Sequence, residues 1–379
     1  MVAIDSYAGG DGRLSPLSTP SATRAVLEAH GIGTKYTLGQ NFLVNDDVLK
    51  KIVALAEVGE NDRILEVGPG IGTLTIALLK HAAGVVAIER DPDLPAVLAD
   101  TLHPWREKFA LIEKDALDVT RDDIVAAMVE IGGDTGYPDR ASSAANETAQ
   151  WAVSQSEDCL SESGYPVAPP QEGLQLSLPS KLVANLPYAV AATVVLDYFE
   201  NFPFLDSATI MVQKEVADRM AAAVGTKNYG AYTVKLGLYA EPVGRFAVGP
   251  GNFFPPPRVD SAVIRLNRRV PLMADGAPAS PEVIAAAALM ADAAFTNRRK
   301  TIANSCKTYF SGRGPISLGA GPSAQEGAPG IVLPDGAAIA ERLAAIFDAA
   351  TIDPRRRGET LTQQEFLALG AALLKVTAA

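Results

Sequence analysis

The 379-residue sequence predicts an α/β protein, a mostly parallel sheet covered by helices on both faces, followed by a smaller all-α domain. Three observations predict it. Short apolar runs alternate with amphipathic segments along the N-terminal part of the chain, the pattern of crossover-connected parallel strands. One of those runs breaks into Gly68-Pro69-Gly70-Ile71-Gly72 just before a helical segment, where glycines let backbone approach a ligand. After about Val270 the strand-like runs give way to helical periodicity with cap signals.

The elements follow in order. Residues 1 to about 20 are rich in Gly, Ser and Pro and are expected to be disordered. Ser21 is placed to cap a short helix reaching about His30. From Asp46 to Glu57, Val48, Ile52, Val53, Leu55 and Ala56 recur at helical spacing. Arg63 to Val67 is a strand that runs into the glycine loop, and Thr73 to Lys80 is the helix that leaves it. Val85 to Ile88 is a buried strand closing at Glu89, and Phe109 to Ile112 is another, followed by Asp115. Lys181 to Ala184 is a fourth, ending at Asn185, and Thr209 to Val212 a fifth, with a helix from Gln213. Gly132 to Ser180 interrupts this alternation with low periodicity and many Ser, Gly, Pro and Ala, and reads as a flexible surface insertion, a linker. In the second domain Ser280-Pro281-Glu282 is a helix start, with cap, first-turn proline and an acid near the positive end. Helices are expected at about 281–295, 297–310, 337–350 and 362–375, the last with Thr362 and Glu365 as a capping box, and a Gly/Pro-rich loop runs from Ser311 to Asp335. The domains are then an N-terminal extension at 1–30, a ligand-binding α/β domain at 31–270 and a helical domain at 271–379.

Composition narrows the function classes. Apolar residues make up 48%, but no run reaches the roughly 18 residues a membrane helix needs. Met1 to Gly10 has no apolar core, so no secretory signal is expected, and Cys159 and Cys306 alone suit a reducing cytoplasm. His30, His81 and His103 have no metal-ligand spacing, so no metal is expected. The net charge of −11 looks wrong for a protein that binds nucleic acid. Yet Gly132 to Ser180 holds seven acids against Arg140 alone, while Phe295 to Arg313 holds Arg298, Arg299, Lys300, Lys307 and Arg313 and no acid. A polyanion responds to that local field, because charges are screened beyond about 8–10 Å.

The candidate site lies at the strand ends. Glu66, Gly68 and Gly70 belong to the glycine loop, Glu89 closes the next strand, and Asp115 follows the third. A carboxylate at Glu89 can accept both hydroxyls of a ribose, and one at Asp115 can accept from an adenine amino group. A dinucleotide fold would supply a similar loop, so the loop alone does not choose the ligand. Asn185-Leu186-Pro187-Tyr188 closes the fourth strand. An isolated tetrapeptide of this kind is more often only a turn. Beside a nucleoside crevice it suits an exocyclic amine, with the Asn185 amide oxygen and the Pro187 carbonyl accepting from the NH2 and the Tyr188 ring stacking on the base. Phe253 precedes three prolines that stiffen the chain and would hold its ring against that base, whereas Phe199, Phe202 and Phe204 read as core. Arg298, Arg299 and Lys300 open a predicted helix, and with Arg258, Arg265, Arg268 and Arg269 would line one phosphate-binding face. Arg355, Arg356 and Arg357 read as plain surface.

Taken in order, Leu38 to Leu43, Glu66 to Gly72, Glu89, Asp115, Asn185 to Tyr188, Gln213 to Val216, Tyr229-Gly230, Phe253 to Ser261 and Phe295 to Ser305 make the sequence resemble the small-subunit ribosomal RNA adenine N6-dimethyltransferases. The resemblance covers roughly 35–375 except 132–180. It implies a Rossmann-like class I methyltransferase sheet, S-adenosylmethionine as methyl donor, and cofactor contacts at Asn41, Leu43, Gly68, Glu89, Asp115 and Asn185. It implies that Asn185 and the Pro187 carbonyl hold the target amine while Tyr188 and Phe253 sandwich the adenine. The implied substrate is a pair of adjacent adenines in a hairpin near the 3′ end of small-subunit RNA, within a pre-ribosomal small subunit. A monomer is the default expectation for the chain, and a cytoplasmic location is expected from its cysteine usage and from its start. The 70 residues from Asp115 to Asn185 and the extended N terminus depart from the family pattern. A sister class that methylates large-subunit adenine shares the glycine loop and the turn, but the Phe295–Thr301 segment and the helical domain favour the small-subunit class. A non-enzymatic assembly factor is the third reading, and a nicotinamide oxidoreductase a distant fourth that lacks any hydride-transfer constellation.

Overall fold

The structure is a computed structural model that describes residues 12–33, 40–131, 178–313, 316–317, 330–331 and 337–378. All but the last three residues of the expected insertion, and Leu38-Gly39, lie outside the described residues. The elements run α1 (Pro20–Ala29), β1 (Phe42–Leu43), α2 (Asp46–Ala56), β2 (Arg63–Val67), α3 (Thr73–Leu79), β3 (Gly84–Ile88), α4 (Pro95–Thr101), β4 (Phe109–Ile112) and α5 (Arg121–Ile131). They continue with β5 (Lys181–Asn185), α6 (Ala191–Asn201), β6 (Ser207–Gln213), α7 (Lys214–Met220), α8 (Ala231–Gly237), β7 (Ala240–Val248), β8 (Phe253–Phe254) and β9 (Ser261–Arg268). The helical domain holds α9 (Pro281–Phe295), α10 (Ile302–Phe310), the short pair β10 (Ile316–Ser317) and β11 (Gly330–Ile331), α11 (Ala337–Ala349) and α12 (Gln363–Ala378).

One sheet of seven strands, ordered β4-β3-β2-β5-β6-β9-β7, carries the first domain. The five expected strands pair in parallel, with Val67 beside Ile88 and Ile88 beside Ile112, and with Asn185 beside Met211 on the other side. The chain builds outward from β2 in one direction, then returns to β5 on its other flank. That reversal is a switch point, where loops at the carboxyl edge part and leave a crevice. β7 and β9 close the sheet in antiparallel pairing. Neither is among the five expected strands, and for β7 the reason is visible: it is an edge strand with Glu241, Pro242 and Val243 exposed and a register shift between Pro242 and Gly244. A proline and a bulge erase the alternation by which a strand is read from sequence.

Apolar side chains fill both faces of the sheet. Leu65, Val67, Val86, Leu182 and Ala184 face α5 and α6, while Ile64, Val85 and Val183 face α2 and α3. The helical domain has a core of its own, and Tyr229 and Val234 from the first domain are part of it. Tyr229 also donates its hydroxyl to the Leu361 carbonyl at 2.8 Å, so the segment around α8 welds the two domains.

Three local expectations change. Residues 12–20 are packed: Leu17, Ser15 and Ser18 are buried, and Asp46 accepts the Leu14 and Ser15 N–H groups at 2.8 and 3.2 Å. The α1 cap is Thr19, whose side chain accepts from Ala22 N–H, with Pro20 in the first turn. The segment Asn297 to Lys300 is a turn, and α10 starts only after Thr301, which caps it through the Asn304 N–H. The capping box on α12 is present, with Glu365 accepting from Thr362 N–H at 2.8 Å and Thr362 from Glu365 N–H at 3.2 Å.

Candidate active site

The carboxyl ends of β2 to β5 surround a cleft of about 320 Å³, at the small end of the range for ligand sites. Asn41, Leu43, Glu66, Gly68, Gly70, Glu89, Asp115, Asn185, Pro187 and Tyr188 all line it. Gly68 and Gly70 have φ of 70° and 61°, left-handed values that glycine adopts without strain. A Cβ on Gly68 would stand 3.4 Å from Pro187 Cδ, so the loop lies directly against the Asn185–Tyr188 turn.

The acids differ in how they are held. Glu89 is buried, and its Oε1 accepts the Arg90 and Asp91 N–H groups at 2.9 and 2.8 Å, which leaves Oε2 with lone pairs for a ligand. Burial raises the carboxyl's pKa, partly offset by those two donors and, more weakly, by the Gly70 N–H. Asp115 is the opposite case: the Leu117 N–H and the Arg90 guanidinium hold it below the usual carboxylate range. Glu66 is 1% exposed at the cleft floor, and its Oε2 has no partner among the described residues. Burial, helped by the nearby Glu89 charge, pushes it up to about 8.

The Asn185 side chain is oriented by its amide nitrogen, which donates to the Asn41 carbonyl at 3.2 Å. Its Oδ1 is therefore the end left to accept a ligand's N–H. The Pro187 carbonyl is not left over. It accepts the Val190 and Ala191 N–H groups, both at 3.2 Å, and so starts α6. The expectation that it grips the target amine is corrected for that reason. Leu186 supplies the alternative: it lines the cleft, its side chain is buried, and its carbonyl accepts no hydrogen bond from the described residues. Tyr188 is half-buried with its ring in the cleft wall and its hydroxyl 2.6 Å from Ser261 Oγ.

Phe253 does not reach the cleft. It pairs with Leu43 across the β1–β8 ladder, and both are buried in the core under α2 and α3 at 3% exposure. Neighbouring residues on a strand point to opposite faces, and Phe254, not Phe253, stays half-exposed beneath the Arg24 guanidinium. The sandwich of Tyr188 with Phe253 is therefore not assembled.

The basic residues divide. Arg258, Arg299 and Lys300 are exposed and have no ion-pair partner among the described residues. Arg298 donates to the Tyr229 carbonyl at 2.9 Å and lies 3.5 Å from Glu359, so it joins the domains. Arg268 donates to the Phe199, Phe202 and Leu205 carbonyls and caps the end of α6. Arg265 holds the Leu55 carbonyl and Glu57, and Arg269 holds Gln363. The single phosphate-binding face expected of these arginines is thus not formed. Arg356, expected as plain surface, grips Glu365 with both terminal guanidinium nitrogens. Arg90, which lines the cleft and reaches Asp115, was missed, because nothing in one sequence shows where a loop arginine points.

Residues 33–314 match the model of the family described as ribosomal RNA adenine dimethylase. The chain belongs to that family. It is 33% identical over 360 residues to a ribosomal RNA small subunit methyltransferase A of Geobacillus sp. (strain WCH70), covering 95% of this chain and 98% of the relative. A relative of the same name from Corynebacterium jeikeium is 32% identical, covering 94% of this chain and 96% of its own length. Among solved structures, a dimethyladenosine transferase from Plasmodium falciparum superposes with TM-score 0.56 at 18% identity, covering 88% of this chain and 98% of that one. The 23S rRNA methyltransferase ErmE gives 0.50 at 21% identity, covering 88% and 99%. At those identities the two structures show the shared fold, a class I methyltransferase sheet. As a ribosomal RNA adenine dimethylase the chain is an enzyme that uses S-adenosylmethionine. The donor set suits that cofactor: Glu89 keeps an acceptor suited to ribose hydroxyls, the Asp115 carboxylate suited to an amino group lines the same cleft, and the Glu66 carboxyl offers a buried oxygen without a partner among the described residues. Among the described residues no helix is long and apolar enough to cross a membrane.

Proposed function

We propose that this enzyme methylates N6 of two adjacent adenines in a hairpin near the 3′ end of small-subunit ribosomal RNA, giving N6,N6-dimethyladenine. The RNA would be presented within a pre-ribosomal small subunit, and the enzyme would act as a cytoplasmic monomer. The small-subunit assignment is supported by the names of relatives that align along nearly their whole length. The chemistry is supported by one observation above the others, the Asn185 amide turned so that Oδ1 is its free end in the cleft.

An adenine amine is a weak nucleophile, because its lone pair is delocalised into the ring. Acceptors on both N–H bonds hold the nitrogen in place and favour the pyramidal form, whose lone pair is free. Asn185 Oδ1 and the Leu186 carbonyl are the two acceptors in this reading, and the Tyr188 ring supports the base face. Glu89 holds the ribose, and Gly68 and Gly70 let the backbone close on the rest of the cofactor. The bound cofactor supplies an electrophilic methyl group. No strong base is needed, since the nitrogen becomes acidic once it carries the positive charge and releases its proton to solvent. Arg258, Arg299 and Lys300 remain available for phosphates.

The test is transfer from labelled S-adenosylmethionine to immature small subunits, followed by mass spectrometry of the digested RNA. Dimethyladenine in two adjacent small-subunit positions is the expected product. Label confined to large-subunit RNA, or no transfer, would contradict the reading.

A further inference from the structure

Arg90 is set between the two acids that face the nucleoside end of the cleft. Its backbone N–H donates to Glu89 Oε1 at 2.9 Å, and its guanidinium donates to Asp115 Oδ2 at 2.8 Å. The other Asp115 oxygen, Oδ1, accepts the Leu117 N–H at 3.1 Å. The Asp115 carboxylate is thus held at both oxygens, with one lone pair on each left unused. Arg90 and Asp115 side chains are 53% and 33% exposed. An ion pair that open stabilises a fold little, so its consequence is the orientation it imposes. Glu89, Arg90 and Asp115 line the cleft.

We propose that Arg90 is a positioning residue for cofactor recognition: by fixing the Asp115 carboxylate it makes the cleft specific for a purine that carries an amino group. This rests on the reading of Asp115 as the acceptor of that amine. Without the guanidinium, the Leu117 N–H still anchors Oδ1, but Oδ2 loses the contact that fixes it and the carboxylate can rotate about that anchor, away from the orientation that awaits the amine. The Glu89 contact runs through the backbone of residue 90, so a side-chain change leaves it in place.

The experiment is calorimetric titration of the full chain with S-adenosylhomocysteine and with its purine riboside analogue, in which hydrogen replaces the amino group. The unaltered protein should prefer the amino form by about tenfold, the value of one hydrogen bond to a charged acceptor. Arg90→Gln should cut that preference to about twofold, with the loss falling on S-adenosylhomocysteine and the analogue binding as before. A residue that only supports the loop would weaken both ligands equally, and that result overturns the proposal. Asp115→Ala, which leaves no side-chain acceptor at that position, separates the two claims. If it abolishes the preference while Arg90→Gln leaves it intact, Arg90 does not position Asp115 and the Asp115 reading stands. If both variants keep the preference, Asp115 does not read the amine and both claims fall.

Discussion

The residues at the ends of the parallel strands converge on one cleft, whereas the basic residues that follow them in the chain scatter over several contacts. Every residue expected to bind cofactor lines one cleft. Of the seven basic residues expected on one RNA face, Arg265, Arg268, Arg269 and Arg298 are engaged by carbonyls or side chains of the fold itself. The cause is geometric. Parallel strands in register deliver their last residues to one edge, so a carboxylate just after an apolar run has a determined place. An arginine has no such constraint, because its donors can be satisfied by carbonyls of the fold as well as by an RNA phosphate.

Four substitutions sharpen that contrast. The largest expected effect is Glu89→Ala, which removes the ribose acceptor and should weaken S-adenosylhomocysteine binding about 100-fold by calorimetry, while the salt dependence of RNA binding stays unchanged. Next, Arg268→Ala leaves three carbonyls at the end of α6 without their cap. It should lower unfolding free energy by roughly 2–4 kcal/mol in urea titrations, and it should not change the salt slope of RNA binding. A changed slope would return Arg268 to the RNA face.

Glu66→Gln tests the cleft floor. With the folded pKa near 8 against 4.5 as the ordinary value, the folded state keeps a proton that the unfolded chain gives up between those pH values. Stability contributed by this group therefore falls as pH rises through that window. Glu66→Gln should flatten the decline, a change on the order of 4 kcal/mol by pH 8 in denaturation curves. Smallest is the double change Arg299→Ala with Lys300→Ala, which should weaken RNA several-fold and lower the salt slope by about 1–2 while cofactor affinity holds.

What was legible in the sequence follows the same division. Five parallel strands, the glycine loop and the Asn185–Tyr188 turn have periodicity or special residues that sequence displays. β7 was hidden by Pro242 and a bulge, and the packing of residues 12–20 by a composition that reads as loose. At Phe253-Phe254 the pattern gives two candidates, and only the β1–β8 register decides which ring is buried. At Leu186-Pro187 the turn was evident, but which carbonyl the following helix would use was not.

The claim at the centre is that the Asn185 amide oxygen positions an adenine amine beside the methyl donor in this cleft. Methyl transfer to immature small subunits by Asn185→Ala, with S-adenosylhomocysteine binding measured in parallel, tests it most directly. Turnover should fall roughly 100- to 1000-fold, with cofactor affinity within about tenfold of the parent. Turnover equal to the parent's would contradict it.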